Sequence, residues 1–105
     1  MNESYTYYLT PAAMEDLDGA LSYIAHRLHA KDSAIRLLDK IQDAIESACR
    51  HPHATTPVND VLLKARGYRK LIEGNYIILF IPDDEQRVLN VMRVVYYAKD
   101  YLKEL

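Results

Sequence analysis

The sequence predicts an α+β domain in which two amphipathic helices cover one face of a curved antiparallel sheet. Two observations carry this. Apolar residues recur at helical spacing through the first half, and segments rich in Val, Ile, Leu and Tyr, separated by turn residues, fill the second. A short aromatic segment precedes the helices, so the order reads N-terminal strand, helical hairpin, three-stranded antiparallel meander and a short C-terminal helix. At 105 residues there is room for one domain and one core, assigned to residues 1–105.

Tyr5-Thr6-Tyr7-Tyr8-Leu9 is aromatic and β-branched enough for the first strand. Thr10-Pro11 reads as a helix start, with Thr10 as N-cap and proline at the first helical position, where its missing N–H costs nothing. Glu15, Asp16 and Asp18 follow, the nearest of them expected to complement the positive end of the helix dipole. Leu17, Ala20, Leu21, Ile24 and Leu28 form one apolar face, and this helix should end near His29-Ala30. Asp32 or Ser33 is expected to cap a second helix with the apolar face Ala34, Leu37, Leu38, Ile41, Ala44, Ile45 and Ala48. His51-Pro52 ends it, because proline cannot continue the hydrogen-bond ladder.

Strands are expected at Tyr68–Glu73, Tyr76–Ile81 and Arg87–Val95. Gly74-Asn75 supplies a tight hairpin turn between the first two, and Pro82-Asp83-Asp84-Glu85-Gln86 a longer polar turn between the last two. Tyr96–Leu105 reads as the terminal helix.

Composition narrows the classes. Half of the residues are hydrophobic, enough for a real core, although so small a domain is marginally stable and would gain from a stabilising partner. No apolar run approaches the ~20 residues that span a bilayer, and the start of the chain lacks a signal-peptide pattern. The lone Cys49 excludes an internal disulfide and reads as a small buried residue. A cytoplasmic location, away from membranes, is expected. The net charge of −2 does not advertise nucleic-acid binding. Its distribution is uneven: residues 1–60 hold five Lys/Arg against nine Asp/Glu, and residues 61–105 hold eight against six. Lys64, Arg66, Arg69 and Lys70 cluster without an intervening acid. Such a cluster serves equally as edge-strand protection or as an anion-binding surface.

Three stretches, YYLTPAAMEDLDGALSYIAHRL at residues 7–28, YRKLIEGNYIILF at 68–80 and VMRVVYYAKDYLKEL at 91–105, occur in an order and spacing that resemble the RelE/ParE toxin superfamily of type II toxin–antitoxin systems. The resemblance covers nearly the whole chain. It implies a toxin that arrests growth and is held in check by a cognate antitoxin protein. It also implies one of two actions: ribosome-associated cleavage of messenger RNA, or inhibition of DNA gyrase by binding.

Cleavage by a 2′-hydroxyl needs a base, cations around the charged phosphorane and an acid for the leaving oxygen. By resemblance the candidate catalytic residues are Arg69, Arg93, Tyr96 and Tyr97, and the RNA-binding candidates are Lys64, Arg66, Lys70 and Lys99. The set is thinned. The next basic position on the face of Arg69 is Leu71, and the position after the turn is Ile77. A tyrosine with its usual pKa near ~10 would need cationic neighbours to act as a base. Arg93 could equally be a structural arginine paired with an acid, and Tyr96 or Tyr97 a packed aromatic with its hydroxyl bonded. On this reading the first expectation is a ribosome-dependent endoribonuclease, with gyrase inhibition the alternative. A third possibility is a degenerate member that keeps only antitoxin binding.

The four histidines do not make a metal site: His26 and His29 lie three apart and His51 and His53 flank Pro52, without cysteine ligands or a His-Glu-Xaa-Xaa-His pattern. Cys49 has no histidine partner in sequence, and three glycines cannot supply a phosphate loop. Neither metal nor cofactor is expected.

Overall fold

The sheet has five strands in the order β1-β5-β4-β3-β2, with β1 (Thr6–Leu9), β2 (Thr56–Pro57), β3 (Arg69–Glu73), β4 (Tyr76–Asp83) and β5 (Val88–Tyr96). The computed structural model describes residues 4–97. The expected meander is β3-β4-β5, all antiparallel, and the expected first strand adds to its edge parallel to β5. A parallel neighbour requires a crossover connection, and here it runs through the helical hairpin and then β2, β3 and β4 before β5 returns beside β1. The expected terminal helix falls outside the described residues, except that Tyr96 closes β5.

Helix α1 (Pro11–Ser22) begins as the sequence predicts. Thr10 Oγ1 accepts the Ala13 N–H at 3.1 Å, and the same hydroxyl donates to the Met92 carbonyl at 3.0 Å. The helix widens into a π-helical turn at Tyr23–Arg27 and ends at His29, whose φ of 50° lies in the left-handed region. Helix α2 (Lys31–Arg50) then runs back across the sheet. Its cap differs from the expectation. Ala30 occupies the N-cap without a side-chain bond, Asp32 sits inside the first turn near the positive helix end, and Ser33 accepts a bond from Arg36 at 3.0 Å.

The main core lies between these helices and the sheet: Ala13, Leu17, Ile41, Ile45, Ala48 and Cys49 against Ile78, Phe80, Leu89, Val91 and Val94. The sheet is not covered on one face alone. Residues 51–68, which the sequence left unassigned, form a 3₁₀ turn at Pro52–Ala54, then β2, then the short helix α3 (Val61–Ala65), capped by Asp60. Val58, Leu63 and Tyr68 from this segment pack on the other face against Leu79 and Val95. Successive residues of a strand point to opposite faces, so Ile78, Leu79 and Phe80, all 0% exposed, are buried alternately in the two cores. Each such side chain contributes roughly 1.5–3 kcal/mol by leaving water. The uninterrupted apolar run Ile77–Ile81 is the sequence signature of this two-sided burial.

One irregularity positions the site. Leu79 opposes Arg93 and Phe80 opposes Val91, so Met92 is an extra residue in β5. The bulge shifts the side-chain phase, which is why Val91 and Val94, three apart, enter the same core. Arg93, the residue after the bulge, bonds Asp16 of α1.

Candidate functional site

A groove of about 950 Å³ opens between α1 with its π-helical turn and the β4–β5 ladder. Tyr23, Ile24 and Leu28 form its helical wall, Tyr76 and Tyr96 its far end, and Arg93 part of its floor. Arg93 is held by Asp16: Nε donates to Oδ2 at 2.7 Å and Nη2 to Oδ1 at 2.8 Å. The Val94 backbone N–H donates to the same Oδ2 at 3.0 Å. The side chains are 19% and 16% exposed, so this is a largely desolvated, fork-to-fork pair. The first turn of α1 holds no acid, so none of Glu15, Asp16 and Asp18 complements the dipole there as expected, and Asp16 has a different role. It is a strap from α1 to the bulge of β5. Glu15 and Asp16 face Arg93 along the described lining, which leaves the groove with no surplus of positive charge.

The tyrosines cluster at the end of the groove. Tyr76 and Tyr96 meet edge to face with centroids 5.7 Å apart, and Tyr96 and Tyr97 lie 5.3 Å apart at a 42° tilt. Burial, and then the neighbouring Tyr96 phenol, push the Tyr76 hydroxyl above its ordinary pKa, so it stays protonated and cannot be a base near neutrality. Tyr96 and Tyr97 are exposed.

Arg69 is engaged elsewhere. Its Nε donates to Thr55 Oγ1 at 2.8 Å, and its Nη2 donates to the His53 carbonyl at 3.0 Å and to the Thr55 carbonyl. Thr55 Oγ1 in turn donates to Pro52 O at 2.6 Å. Arg69 therefore clamps the turn that leads into β2. Beside it, Asp84 joins three segments: it accepts from the Tyr5 hydroxyl at 2.6 Å and pairs with His53 Nε2 at 2.8 Å.

The predicted residues accordingly divide. Arg93 and Tyr96 line one groove, with Tyr97 in ring contact with Tyr96. Arg69 and Arg93 oppose neighbouring residues of β4, Phe80 and Leu79, but their side chains are tied to different segments. Lys64 and Arg66 belong to α3 and its C-cap, and Lys70 to β3 opposite Leu79. Lys99 lies outside the described residues. Sequence reasoning missed Asp16, His53 and Thr55 as the partners of the two arginines. Among the described residues no group of three or more His, Cys, Asp or Glu converges as a metal site would require, and no helix is long and apolar enough to cross a membrane.

The model of the family described as ParE toxin of type II toxin-antitoxin system, parDE, matches residues 7–101. The chain belongs to this family. A search of curated proteins finds no match for this ParE-family toxin. Among solved structures, it is similar to the chromosomal ParDE toxin–antitoxin system from P. aeruginosa, with a TM-score of 0.69 at 14% identity over 90% of this chain and 97% of that one. It is also similar to the toxin–antitoxin complex RelBE2 from Mycobacterium tuberculosis, with a TM-score of 0.60 at 22% identity over 89% of this chain and 98% of that one. At these identities the likeness shows a shared RelE/ParE-like fold, as the sequence predicted.

Proposed function

We propose that this ParE-family toxin arrests growth by binding its target, with DNA gyrase the target the family reading implies, and that a cognate antitoxin neutralises it by occupying the groove beside Arg93. The observation that carries the binding reading is the engagement of both candidate phosphate-handling arginines: Arg93 by Asp16, and Arg69 by Thr55 and His53. A nuclease needs cations preorganised towards a developing charge, not towards its own scaffold. The groove, walled by Tyr23, Ile24 and Leu28 and flanked by Glu15, fits an amphipathic segment better than a polyanion.

The test uses two readouts after induction in a bacterial host. Gyrase inhibition leaves a reporter plasmid relaxed and transcripts intact, and the purified toxin stops supercoiling by purified gyrase. Messenger RNA cut in phase with codons, with supercoiling preserved, overturns the reading. That second mechanism draws support from one feature, the shared placement of Arg93 and Tyr96 on the groove. For the antitoxin, co-expression of the adjacent gene is expected to raise yield and melting temperature.

A further inference from the structure

We propose that α3 is a rigid knob that docks onto an acidic protein surface containing an aliphatic crevice, and that through it the toxin grips its target. The proposal deepens the binding reading above and rests on it. Val61 and Leu62 are 79% and 71% exposed, the most exposed large apolar side chains among the described residues. Their exposure is not looseness. Asp60 Oδ1 accepts the Leu63 N–H at 3.0 Å, the Lys64 N–H bonds to the Asp60 carbonyl at 2.8 Å, and the Tyr68 N–H bonds to the Leu63 carbonyl at 3.0 Å. Leu63 is 8% exposed and anchors the helix in the second core with Val58, Tyr68, Leu79 and Val95. A capped, anchored turn of helix thus holds two adjacent aliphatic side chains in water, where neither supports the fold.

Charge indicates what covers them. Residues 61–72 carry four Lys/Arg and no Asp/Glu. Arg69 is bound to Thr55 and His53, which leaves Lys64, Arg66 and Lys70 without an ion pair to any described residue. Lys64 lies in the same short helix as the two aliphatic side chains and Arg66 at its C-cap, and an apolar centre flanked by cations is the anatomy of a protein interface whose complement is acidic. A nucleic acid fits less well, because bases bind by stacking on aromatic rings, and the side chains presented beside these cations are aliphatic. The one tyrosine of the segment, Tyr68, is buried in the core. The knob also lies on the face of the sheet opposite the main core and its groove, so target and antitoxin would contact different surfaces.

The experiment compares the wild-type chain with Val61→Ser/Leu62→Ser and, separately, Lys64→Glu/Arg66→Glu. Each is purified as its antitoxin complex and freed for assay. Four quantities are measured: melting temperature, antitoxin affinity, growth arrest on induction, and inhibition of purified gyrase. Both variants should melt close to the wild type, because exposed positions away from packing change stability little, and both should bind antitoxin unchanged. The serine variant should need ~10²-fold more protein for half-maximal inhibition, as loss of an interface anchor does. The glutamate variant should associate ~10-fold more slowly, with weakened salt dependence. Undiminished growth arrest by the serine variant overturns the proposal, as does loss of antitoxin affinity with growth arrest retained. Loss of activity in the glutamate variant alone also overturns it, since that identifies an anion-binding surface. A wild type that arrests growth but leaves gyrase untouched removes the gyrase reading. Growth arrest by the serine variant then still decides the role of α3.

Discussion

Removing Arg93 should destabilise this protein before it informs on chemistry. Arg93→Ala leaves the Asp16 carboxylate, 16% exposed, with the Val94 N–H at 3.0 Å in place of the two guanidinium bonds. Breaking a fully buried ion pair costs about 3–5 kcal/mol. Allowing for the residual exposure here, the loss should be about 2–4 kcal/mol. For a domain of this size each kcal/mol lowers the melting temperature by ~4–8 °C, so a fall of at least ~8 °C is expected. Asp16→Ala should do similar damage, because it removes two bonds of the guanidinium and the acceptor of the Val94 N–H together. The double variant Asp16→Ala/Arg93→Ala should lose less than the sum, with a coupling of about 1–3 kcal/mol in a double-mutant cycle measured by denaturant unfolding. If the coupling falls below about 0.5 kcal/mol, the strap is not what holds α1 to β5. If Arg93→Ala keeps its melting temperature and loses toxicity, Arg93 acts on the target and the nuclease expectation returns.

Thr10→Ala removes both the cap of α1 and its bond to Met92, and should cost about 1–2 kcal/mol by denaturant unfolding. Phe80→Ala, at a position with 0% exposure, should cost about 3–5 kcal/mol and show the largest loss of any single core truncation. The bond from the Tyr5 hydroxyl, and then that from His53, hold the Asp84 carboxyl below its ordinary pKa. With its folded value depressed, Asp84 stabilises the fold above the unfolded carboxylate range, and that contribution fades as pH falls through the lowered value. Carboxyl chemical shifts should place the Asp84 titration below that of ordinary aspartates, and Tyr5→Phe should move it up. Burial, and then Glu46, raise the Cys49 thiol, so native protein should alkylate at a rate set by unfolding, and a fast thiol reaction would contradict its place in the main core.

The fold was legible where local signals and burial agree. Thr10-Pro11, the periodic faces of the helices, Gly74-Asn75 and His51-Pro52 all lie where sequence reasoning puts them, because each acts within a few residues. The second core was not legible. Val58, Leu63 and Tyr68 are spaced irregularly and become a cluster only when the chain turns over the sheet at Gly67, whose φ of 90° departs from ordinary helix or strand. The cap of α2 was misread because the left-handed His29 already ends the preceding turn and sets the start of α2 at Lys31. In the candidate site the arginines stand out in the sequence, but the bonds that occupy them do not. Their partners are distant in sequence: Asp16 bonds Arg93 across 77 positions, and Thr55 bonds Arg69 across 14.

That separation changes what the familiar motifs mean. The stretch with Thr10 and Asp16 and the stretch with Met92, Arg93 and Val94 are two halves of one joint. Thr10 N bonds Val91 O at 3.1 Å, Thr10 Oγ1 reaches Met92 O, and Asp16 takes Arg93 and Val94. The joint sits at the β-bulge of Met92, with Arg93 and Val94 directly after it. Two of the three stretches that carry the family resemblance therefore secure a parallel strand and a helix to β5. Such a joint has a structural role in this chain. Outside the joint lie residues 51–68, where α3 exposes Val61 and Leu62 beside Lys64 and Arg66. Transplanting this segment between toxins of different target should move the target preference while leaving the antitoxin groove intact, whereas exchange of the Asp16–Arg93 pair, which lines that groove, should change stability and antitoxin affinity together.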